Sequence, residues 1–352
     1  MLTELGDWLA RVHRLIPARD LAILLNPPRL VARFSKFVLH RATGSAAHAT
    51  ADDVRERDPE LVETLLELAR WFGTHYFRLR IEGVENLPAS GPVLLVGNHN
   101  GGFLPSDGFF TSLAILDRFG PSRAMYALAH DFLFEDPVLR RYALRLGMLR
   151  AGHASAHHAF EAGGCVLVYP GSDLDTFRTF RDRGKIVLGG RTGFLSLALR
   201  EQVPIVPVVS AGTHEQFIVL ARGDKLSRLL HAHRWTRAEV LPIVLSIPWG
   251  ITSGFFPYLP LPAQTTLSFL TPLRWPELGP EAAGDPLALA RCYHDVETAM
   301  QAELDRLSVG RRPWLGQKVT PPRAAPTPDR ESPAAPDRAA RDATATRRSS
   351  SP

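Results

Sequence analysis

Short apolar runs alternate with amphipathic stretches between Phe77 and Val209, and this alternation constrains the fold more than any other feature. Short apolar runs bounded by Gly, Pro or polar residues are typical of buried strands, and the longer stretches between them have helical spacing. The pattern predicts an α/β fold, a mainly parallel mixed sheet covered by helices and preceded by N-terminal helices. We predict strands at Phe77–Glu82, Pro92–Gly97, Met125–Ala129, Cys165–Tyr169 and Ile205–Val209. We predict helices at Pro105–Arg118, Pro137–Leu146, Ser155–Ala162 and Thr192–Glu201, and one from Pro59 to about Tyr76.

Composition divides the 352-residue chain into three regions. Residues 1–76 form a predicted helical region, in which Leu21–Leu25 and Leu30–Leu39 resemble basic amphipathic helices. Such helices can lie on a membrane or pack on the protein itself. Residues 77–317 form the predicted α/β domain. Residues 318–352 are rich in Pro, Ala and Arg with few large apolar side chains, so we predict a disordered tail.

The net charge of +5 is concentrated at the two ends of the chain, in residues 1–41 and 318–352. Basic ends suit an anionic membrane surface better than a nucleic-acid groove, although the same charges also serve solubility. We therefore expect membrane lipids, and no nucleic acid, among the partners. The acidic first residues lack a basic n-region, so we expect no secretory signal. Cys165 and Cys292 set no disulfide framework and fit a reducing compartment.

The segment Val240–Leu273 carries no charged residue. Its length could span a bilayer, but repeated Pro and Gly would leave backbone groups unpaired in lipid. We expect a surface that dips into one leaflet, with Trp249 and Tyr258 near the headgroups. The alternative is a proline-rich wrap over the domain's own core.

The apolar run that ends at Gly97 is followed directly by Asn98-His99, and Asp107 comes after a Gly-rich gap. The gap predicts a loop with a helix start at Pro105 or Ser106. A His at the end of a strand and an Asp one loop later can meet as a general base and its orienting carboxylate. By itself, however, such a His is more often a structural residue.

Three further segments follow this pair in a fixed order. They are Gly147–Ala151, Val168–Asp173 and Val203–Val208. Together with the Asn-His pair, this order resembles the glycerolipid acyltransferase family, of the lysophosphatidic acid acyltransferase type. The resemblance extends from about Trp71 to Val209, and includes the lead-in Phe77–Pro88.

This resemblance implies transfer of a fatty acyl group from a thioester, acyl-CoA or an acyl carrier protein, to a lipid hydroxyl. It assigns His99 as general base and Asp107 as the residue that orients it, with no covalent acyl-enzyme. The chain departs from the common pattern in its His-x7-Asp spacing, where His-x4-Asp is usual. Gly171 and Leu174 stand where the common third motif has Glu and a phosphate-associated Arg. Tyr169–Ser172 is closer to the Pro-Gly-Gly branch related to diacylglycerol acyltransferases, which takes uncharged acceptors.

Candidate substrate-binding residues follow from the same chemistry. The thioester oxygen gains negative charge during attack, and backbone N–H groups around Gly171 and Ser172 could stabilise it, unless this turn is a plain exit from the strand. Asn98 accompanies the base. The basic cluster of Arg178, Arg181, Arg183, Lys185 and Arg191 suits phosphates, and Arg181 and Arg191 are the favoured members.

No metal and no resident cofactor are expected. The histidines at 153, 157 and 158 lack a fourth ligand such as a Cys pair, and we expect them to face solvent. His214-Glu215 is not followed by the second His of a His-Glu-x-x-His motif, because Ile218 stands there.

The sequence therefore favours a membrane-associated O-acyltransferase of glycerolipid and phospholipid synthesis, at the cytoplasmic face and peripheral or monotopic. A lysophospholipid is the preferred acceptor, with diacylglycerol or a fatty alcohol as the alternative. A serine hydrolase using Ser172 is disfavoured, because Pro170 and Leu174 replace the glycines of a nucleophile elbow. A non-catalytic lipid-binding protein with a decayed site is the third hypothesis.

Overall fold

The computed structural model describes residues 2–24, 26, 52–100, 106–229, 240–254 and 258–317. The predicted amphipathic stretch Leu30–Leu39 and the predicted tail 318–352 lie outside the described residues.

Helices and strands alternate along most of the described chain. The helices are α1 (Leu2–Leu15), α2 (Ala18–Leu24), α3 (Pro59–His75), α4 (Ser106–Phe119), α5 (Phe132–Glu135), α6 (Pro137–Arg145), α7 (His153–Glu161), α8 (Ser172–Thr176), α9 (Gly193–Glu201), α10 (Asp224–Leu229) and α11 (Pro286–Ser308). The strands are β1 (Arg80–Glu82), β2 (Val93–Gly97), β3 (Met125–Ala129), β4 (Met148–Arg150), β5 (Cys165–Val168), β6 (Ile205–Ala211), β7 (Ile218–Ala221), β8 (Ile243–Ser246), β9 (Gly250–Ser253), β10 (Thr266–Phe269), β11 (Arg311–Arg312) and β12 (Gly316–Gln317).

Seven strands form the main sheet, in the order β1-β10-β6-β2-β5-β3-β4. Neighbouring strands run parallel except β10 and β6, which are antiparallel. Helices cover the sheet, and among the described residues α1, α2 and α3 precede it in the chain. The predicted fold class, a mainly parallel mixed sheet covered by helices after N-terminal helices, is confirmed.

Asp-Pro pairs begin three of the helices. Asp58-Pro59, Asp136-Pro137 and Asp285-Pro286 each place a carboxylate at the N-cap, where it accepts hydrogen bonds from backbone N–H groups of the first turn. Proline at the first helical position costs nothing, because its missing N–H would have no partner inside the helix. This local chemistry fixes where α3, α6 and α11 begin.

The central strand β2 lies between two apolar layers. Leu94 and Val96 face a cluster with α7, α9 and α11, whereas Val93 and Leu95 face a cluster with α4. All four side chains are inaccessible to solvent. A strand buried on both faces needs an unbroken apolar run, which explains the sequence before Gly97.

The described N-terminal helices pack on the protein itself. Val12 and Ile16 are buried, and the Trp8 Nε1–H donates to the carbonyl oxygen of Thr64 at 2.7 Å. The packing that the sequence allows for these helices is therefore present in α1. None of the helices in the described ranges combines the length and the apolarity needed to cross a bilayer.

The uncharged segment is not one continuous surface, which corrects the expectation for its last part and for Tyr258. Its last part forms β10, which is fully buried in the main sheet, and its first part forms β8 and β9 of a separate three-stranded sheet, β7-β8-β9. Trp249 is exposed, but Tyr258 is buried against Phe217 and not at a surface. Burial on both sides explains the absence of charge in β10, whereas in β8 burial explains it on one face only.

Candidate active site

The candidate site lies where β2 ends beside β6. Asn98, the first residue after β2, is buried and clamps the two strands together. Its side chain accepts a hydrogen bond from the Ser210 N–H at 2.8 Å and donates one to the Ser210 carbonyl oxygen at 3.0 Å. Asn98 therefore fixes the direction in which the chain leaves β2, rather than facing open space as a substrate-binding group would.

His99 and Asp107 are brought together. The Nδ1 atom of His99 lies 3.0 Å from Oδ2 of Asp107, and the His99 side chain is 18% exposed whereas that of Asp107 is 1% exposed. Asp107 lies in the first turn of α4, and this helix begins at Ser106, within the predicted range. The His-x7-Asp spacing is thus compatible with direct contact between the two side chains.

Backbone groups hold the Asp107 carboxylate from both sides. Its Oδ2 also accepts from the Asn100 N–H at 2.9 Å, and its Oδ1 accepts from the Gly108 N–H at 2.9 Å. Three donors around one buried carboxylate satisfy its oxygens and fix its orientation. An ionised Asp107 can only accept, so the His99 Nδ1 must carry a hydrogen and Nε2 is the ring nitrogen left to take a proton.

Tyr169 stacks on the base. The rings of His99 and Tyr169 lie 4.2 Å apart between centroids with 19° between their planes. Gly97 makes this possible, because a Cβ at that position would overlap the Tyr169 ring. Stacking and the hydrogen bond to Asp107 together restrict the imidazole to one orientation.

Asp175 is a residue of the site that the sequence interpretation missed. Its Oδ2 accepts a hydrogen bond from the backbone N–H of His99, and its Oδ1 accepts from Arg178 Nη1 at 2.6 Å. Both side chains are buried. The signal in the sequence is the three-residue spacing of opposite charges, which places them on neighbouring turns. Arg178 was grouped with the exposed phosphate-binding cluster, and that placement is wrong because its charge is buried and paired.

The electrostatics of the site raise the basicity of His99. Burial lowers the pKa of His99, but the charge and hydrogen bond of Asp107 and the charge of Asp175 outweigh burial and hold that pKa above its ordinary value. Burial raises the pKa of Asp175 to about 6 despite Arg178 and the His99 N–H. Burial and the charges of Arg178 and His99 hold the pKa of His214 well below normal, so this neighbour stays neutral.

The turn at Gly171 and Ser172 closes the site below Tyr169. A Cβ at Gly171 would overlap the carbonyl oxygen of Val187 and the Cβ of Asp175, so only glycine fits. Ser172 has a φ of 47°, a left-handed conformation that is uncommon outside glycine. Its N–H already donates to the Tyr169 carbonyl oxygen at 3.1 Å. Of the two backbone amides predicted to stabilise an oxyanion, the amide of Ser172 therefore already donates its hydrogen bond within the turn.

The two favoured arginines lie in different surroundings. Arg191 donates from Nη1 to the carbonyl oxygens of Pro170 and Gly171 at 3.0 and 3.1 Å, and from Nη2 to Asp173 at 3.2 Å. Arg191 therefore holds the turn in place. Arg181 is exposed at a separate cavity.

This cavity has a volume of about 240 Å³ and adjoins the site through Ser210 and His214. Its other lining includes Arg181, Arg183, Gly184, Glu215, Arg311 and Pro313. Arg311 is neutralised by Glu215, with hydrogen bonds of 2.8 and 3.0 Å, so the positive character of the cavity comes from Arg181 and Arg183. Its charge and position suit an anionic group.

The histidines considered as metal ligands do not converge. His157 Nδ1 pairs with Glu201 Oε2 at 2.8 Å, and His153 Nδ1 meets Arg200 Nη1 at 3.0 Å. Within the described ranges, no group of three His, Cys, Asp or Glu side chains could hold a metal ion.

Comparisons with known proteins place the chain among acyl-transferring enzymes. The family model described as "Acyltransferase" matches residues 78–211, which contain all of the site from β2 to β6. An uncharacterized protein of Mycobacterium tuberculosis is 31% identical over 285 residues, covering 81% of this chain and 76% of the relative. The chain belongs to the acyltransferase family that this model describes.

Two more distant matches complete the comparison. A bovine protein named "DGAT1/2-independent enzyme synthesizing storage lipids" is 28% identical over 154 residues, 43% of each chain. The crystal structure of the 1-acyl-sn-glycerophosphate acyltransferase PlsC of Thermotoga maritima aligns with 82% of this chain and 97% of its own, at 19% identity and a TM-score of 0.41.

Proposed function

We propose that the protein transfers a fatty acyl group from an acyl thioester, acyl-CoA or an acyl carrier protein, to the hydroxyl of a glycerolipid, with His99 as general base. The single observation that carries this proposal is the 3.0 Å contact between His99 Nδ1 and Asp107 Oδ2. It occupies one ring nitrogen with a buried carboxylate and leaves Nε2, on a partly exposed ring, for the acceptor hydroxyl.

In this mechanism, His99 Nε2 accepts the hydroxyl proton while the hydroxyl oxygen attacks the thioester carbonyl carbon. Asp107 stabilises the imidazolium that forms. The tetrahedral intermediate then collapses, the carbon–sulfur bond breaks, and the leaving thiolate takes the proton from Nε2. The products are an ester and a free thiol, and His99 returns to its neutral form without a covalent acyl-enzyme.

The raised pKa of His99 suits this role. A general base works best when its pKa is close to the operating pH, because it is then both unprotonated and basic enough. Asp107 and Asp175 raise the pKa of His99 from its ordinary value of 6.5, toward this range. Neutral His214 adds no positive charge that would oppose the imidazolium.

A lysophospholipid is the acceptor that we propose first. The cavity next to Ser210 and His214 offers Arg181 and Arg183 to a phosphate, and Ser210 is the hydrogen-bond partner of Asn98, the residue before His99. No carboxylate of the described residues pairs with Arg181, which leaves its guanidinium available.

An uncharged acceptor, diacylglycerol or a fatty alcohol, is the second candidate. Arg191 is bound to the turn at Pro170 and Gly171, and Leu174 replaces a phosphate-associated Arg of the common motif. The printed name of the bovine relative, an enzyme synthesizing storage lipids, supports the same candidate. For either acceptor, we propose that the protein works as a peripheral or monotopic protein at the cytoplasmic face of a membrane.

The test uses the purified full-length chain, labelled acyl-CoA, and a panel of lysophosphatidic acid, other lysophospholipids, diacylglycerol and a long-chain alcohol. We expect a labelled ester with at least one acceptor, and a loss of about a hundredfold or more in His99→Ala. His158→Ala replaces an exposed histidine outside the site and serves as the control. Full activity of His99→Ala would reject the general base, and no ester with any acceptor would reject the reaction.

Arg181→Gln separates the two acceptor classes. If a phosphate binds in the cavity, this variant raises KM for lysophosphatidic acid and leaves KM for diacylglycerol unchanged. Equal KM values for wild type and Arg181→Gln with every charged acceptor would favour the uncharged class.

A further inference from the structure

The small sheet β7-β8-β9 has one face turned toward the protein and one turned away. Val219 and Val244 lie directly opposite each other and point inward, into a cluster with Phe177, Phe217 and Tyr258. Since side chains alternate along a strand, the neighbours of these valines point outward. The inward face accounts for the packing of this sheet, and the outward face exposes Leu220, Ile243, Leu245 and Ile251.

The outward face is apolar. Ile218, Leu245 and Ile251 are cross-strand partners in one row over all three strands, and a β-bulge adds Leu220 to the same region. Exposure is 44% for Leu245, 52% for Trp249 in the turn, and 71% for Ile251. We call the exposed side chains of this region the apolar face: Leu220, Ile243, Leu245, Ile247, Trp249 and Ile251.

Such a concentration is unusual for a surface in water. Single exposed apolar side chains are normal, but contiguous groups mark sites that another apolar phase or protein covers. An outward-facing strand would ordinarily alternate apolar with polar residues, whereas β8 is apolar on its exposed side, with Ile243 and Leu245. No Asp, Glu, Lys or Arg occurs in the sequence from Val240 to Leu273 to interrupt it.

Basic residues follow the sheet at one end. The chain leaves β7 at Ala221 and continues through Arg222 into α10, which carries exposed Lys225 and Arg228. Asp224 is paired with Arg222 at 3.0 Å, so Lys225 and Arg228 provide the net charge. An apolar surface beside cations complements a bilayer with anionic headgroups, because the apolar groups enter the interface while the cations meet phosphates.

A crevice adjoins the apolar face. Its volume is about 180 Å³, and its lining includes Ile218 and Leu245 of the outward row together with Ile247. This mostly apolar crevice suits an alkyl chain.

We propose that the apolar face is the surface on which the protein rests on a lipid bilayer containing anionic lipids, with Trp249 at the interface. The proposal rests on the proposed function only in taking a lipid as the substrate. It assigns membrane contact to the β7-β8-β9 sheet.

The test measures binding of the full-length chain to vesicles of phosphatidylcholine with and without phosphatidylglycerol. Ile251→Glu should lower binding about tenfold or more, since one large apolar side chain leaves the interface and a charge replaces it. Trp249→Ser should lower it in the same direction. Leu287→Glu is the matched control, because Leu287 is 82% exposed at the start of α11. Binding of Ile251→Glu and Trp249→Ser equal to that of wild type overturns the proposal.

Fluorescence locates the contact independently. Lipids brominated on their chains should quench the emission of wild type more than that of Trp249→Phe. Equal quenching in both proteins would place the contact elsewhere and overturn the proposal. If the wild type is dimeric, the Ile251→Glu variant is monomeric, and both bind lipid equally, the apolar face is an interface with a second copy of the chain. That result also overturns the proposal.

An activity assay separates this proposal from the proposed function. In detergent micelles, where docking is not required, Ile251→Glu should acylate acceptors as wild type does, while with acceptors in vesicles it should be about tenfold slower. Vesicle binding that depends on Ile251, without any acyl transfer, would support the apolar face as the docking surface and reject the reaction. Acyl transfer in vesicles that does not depend on Ile251 would support the reaction and reject the apolar face as the docking surface.

Discussion

Replacement of Asp107 by Asn tests the candidate site most directly, because it removes one charge at nearly constant shape. Three donors point at the wild-type carboxylate: His99 Nδ1 and the Asn100 N–H at Oδ2, and the Gly108 N–H at Oδ1. An amide offers one oxygen and one NH2 group in place of the two carboxylate oxygens. If the oxygen faces His99 and Asn100, the NH2 group meets the Gly108 N–H; if it faces Gly108, the NH2 group meets His99.

The second orientation forces the wrong tautomer, since Nδ1 must then accept and Nε2 keeps its hydrogen. The first orientation leaves a buried donor unpaired, at a cost of about 1–3 kcal/mol. Both orientations remove the carboxylate that stabilises the imidazolium. We therefore expect kcat to fall about 10²–10⁴-fold, which corresponds to about 3–5 kcal/mol in the barrier.

The pH profile of kcat/KM shows in which direction the pKa of His99 changes when the charge of Asp107 is removed. In the wild type, Asp107 helps to hold the pKa of His99 above 6.5, so kcat/KM should rise with pH through that raised value. Without the Asp107 charge, burial has more weight and the pKa of His99 falls, so the acidic limb should move to lower pH.

The assay is steady-state acyl transfer from labelled acyl-CoA between about pH 5 and 9, the range in which His titrates. Asp117→Asn is the control, because Asp117 lies on the same helix but in a surface ion pair with Arg70, and such pairs contribute little. An Asp107→Asn enzyme that loses less than about tenfold in kcat and keeps its acidic limb would refute the assignment of the dyad.

Three further predictions concern the surroundings of the site. Gly171→Ala should destabilise the fold by more than about 1 kcal/mol and lower activity, because its Cβ would overlap a backbone carbonyl and Asp175; urea unfolding should show no comparable loss in Gly184→Ala, where nothing lies within 4 Å. Asp175 has a folded-state pKa of about 6, above its ordinary 3.8, so its contribution to stability is greatest at low pH and is lost as pH rises through about 6. The unfolding free energy of wild type minus that of Asp175→Asn should therefore decrease as the pH rises from 3.8 to about 6, and a constant difference would contradict the raised pKa. Glu215→Gln should cost about 3 kcal/mol by leaving the buried Arg311 uncompensated, and an unchanged urea midpoint would exclude a structural role for this pair.

Local chemistry explains why much of the fold could be predicted from sequence. The run before Gly97 is apolar at consecutive positions, and a strand buried on both faces requires this pattern. The Asp-Pro pair at Asp136 fixes a helix start through atoms that are neighbours in the chain. The 23-residue helix α11 was not predicted, although its buried positions, such as Cys292 and Val296, recur every four residues and Asp285 caps its start.

The uncharged segment shows the limit of composition. Absence of charge predicts one lipid-facing surface, but β10 owes it to burial in the main sheet, and in β8 burial explains it on one face only. Which side of β8 faces solvent depends on strand pairing with β7, and pairing is a property of the folded chain. The same absence of charge predicts Tyr258 near the headgroups, but its side chain is buried.

By itself, the sequence predicted the order of the main strands and helices between Phe77 and Val209 and placed His99 directly after a buried strand, because these features depend on residues adjacent in the chain. Only the tertiary structure decided that Asp175, 76 positions from His99, holds its backbone N–H, and that Arg178 is buried beside it. The physical reason is that hydrogen bonds and burial depend on distance in space. Parallel pairing of β2 with β5 is what brings the ends of these distant segments together.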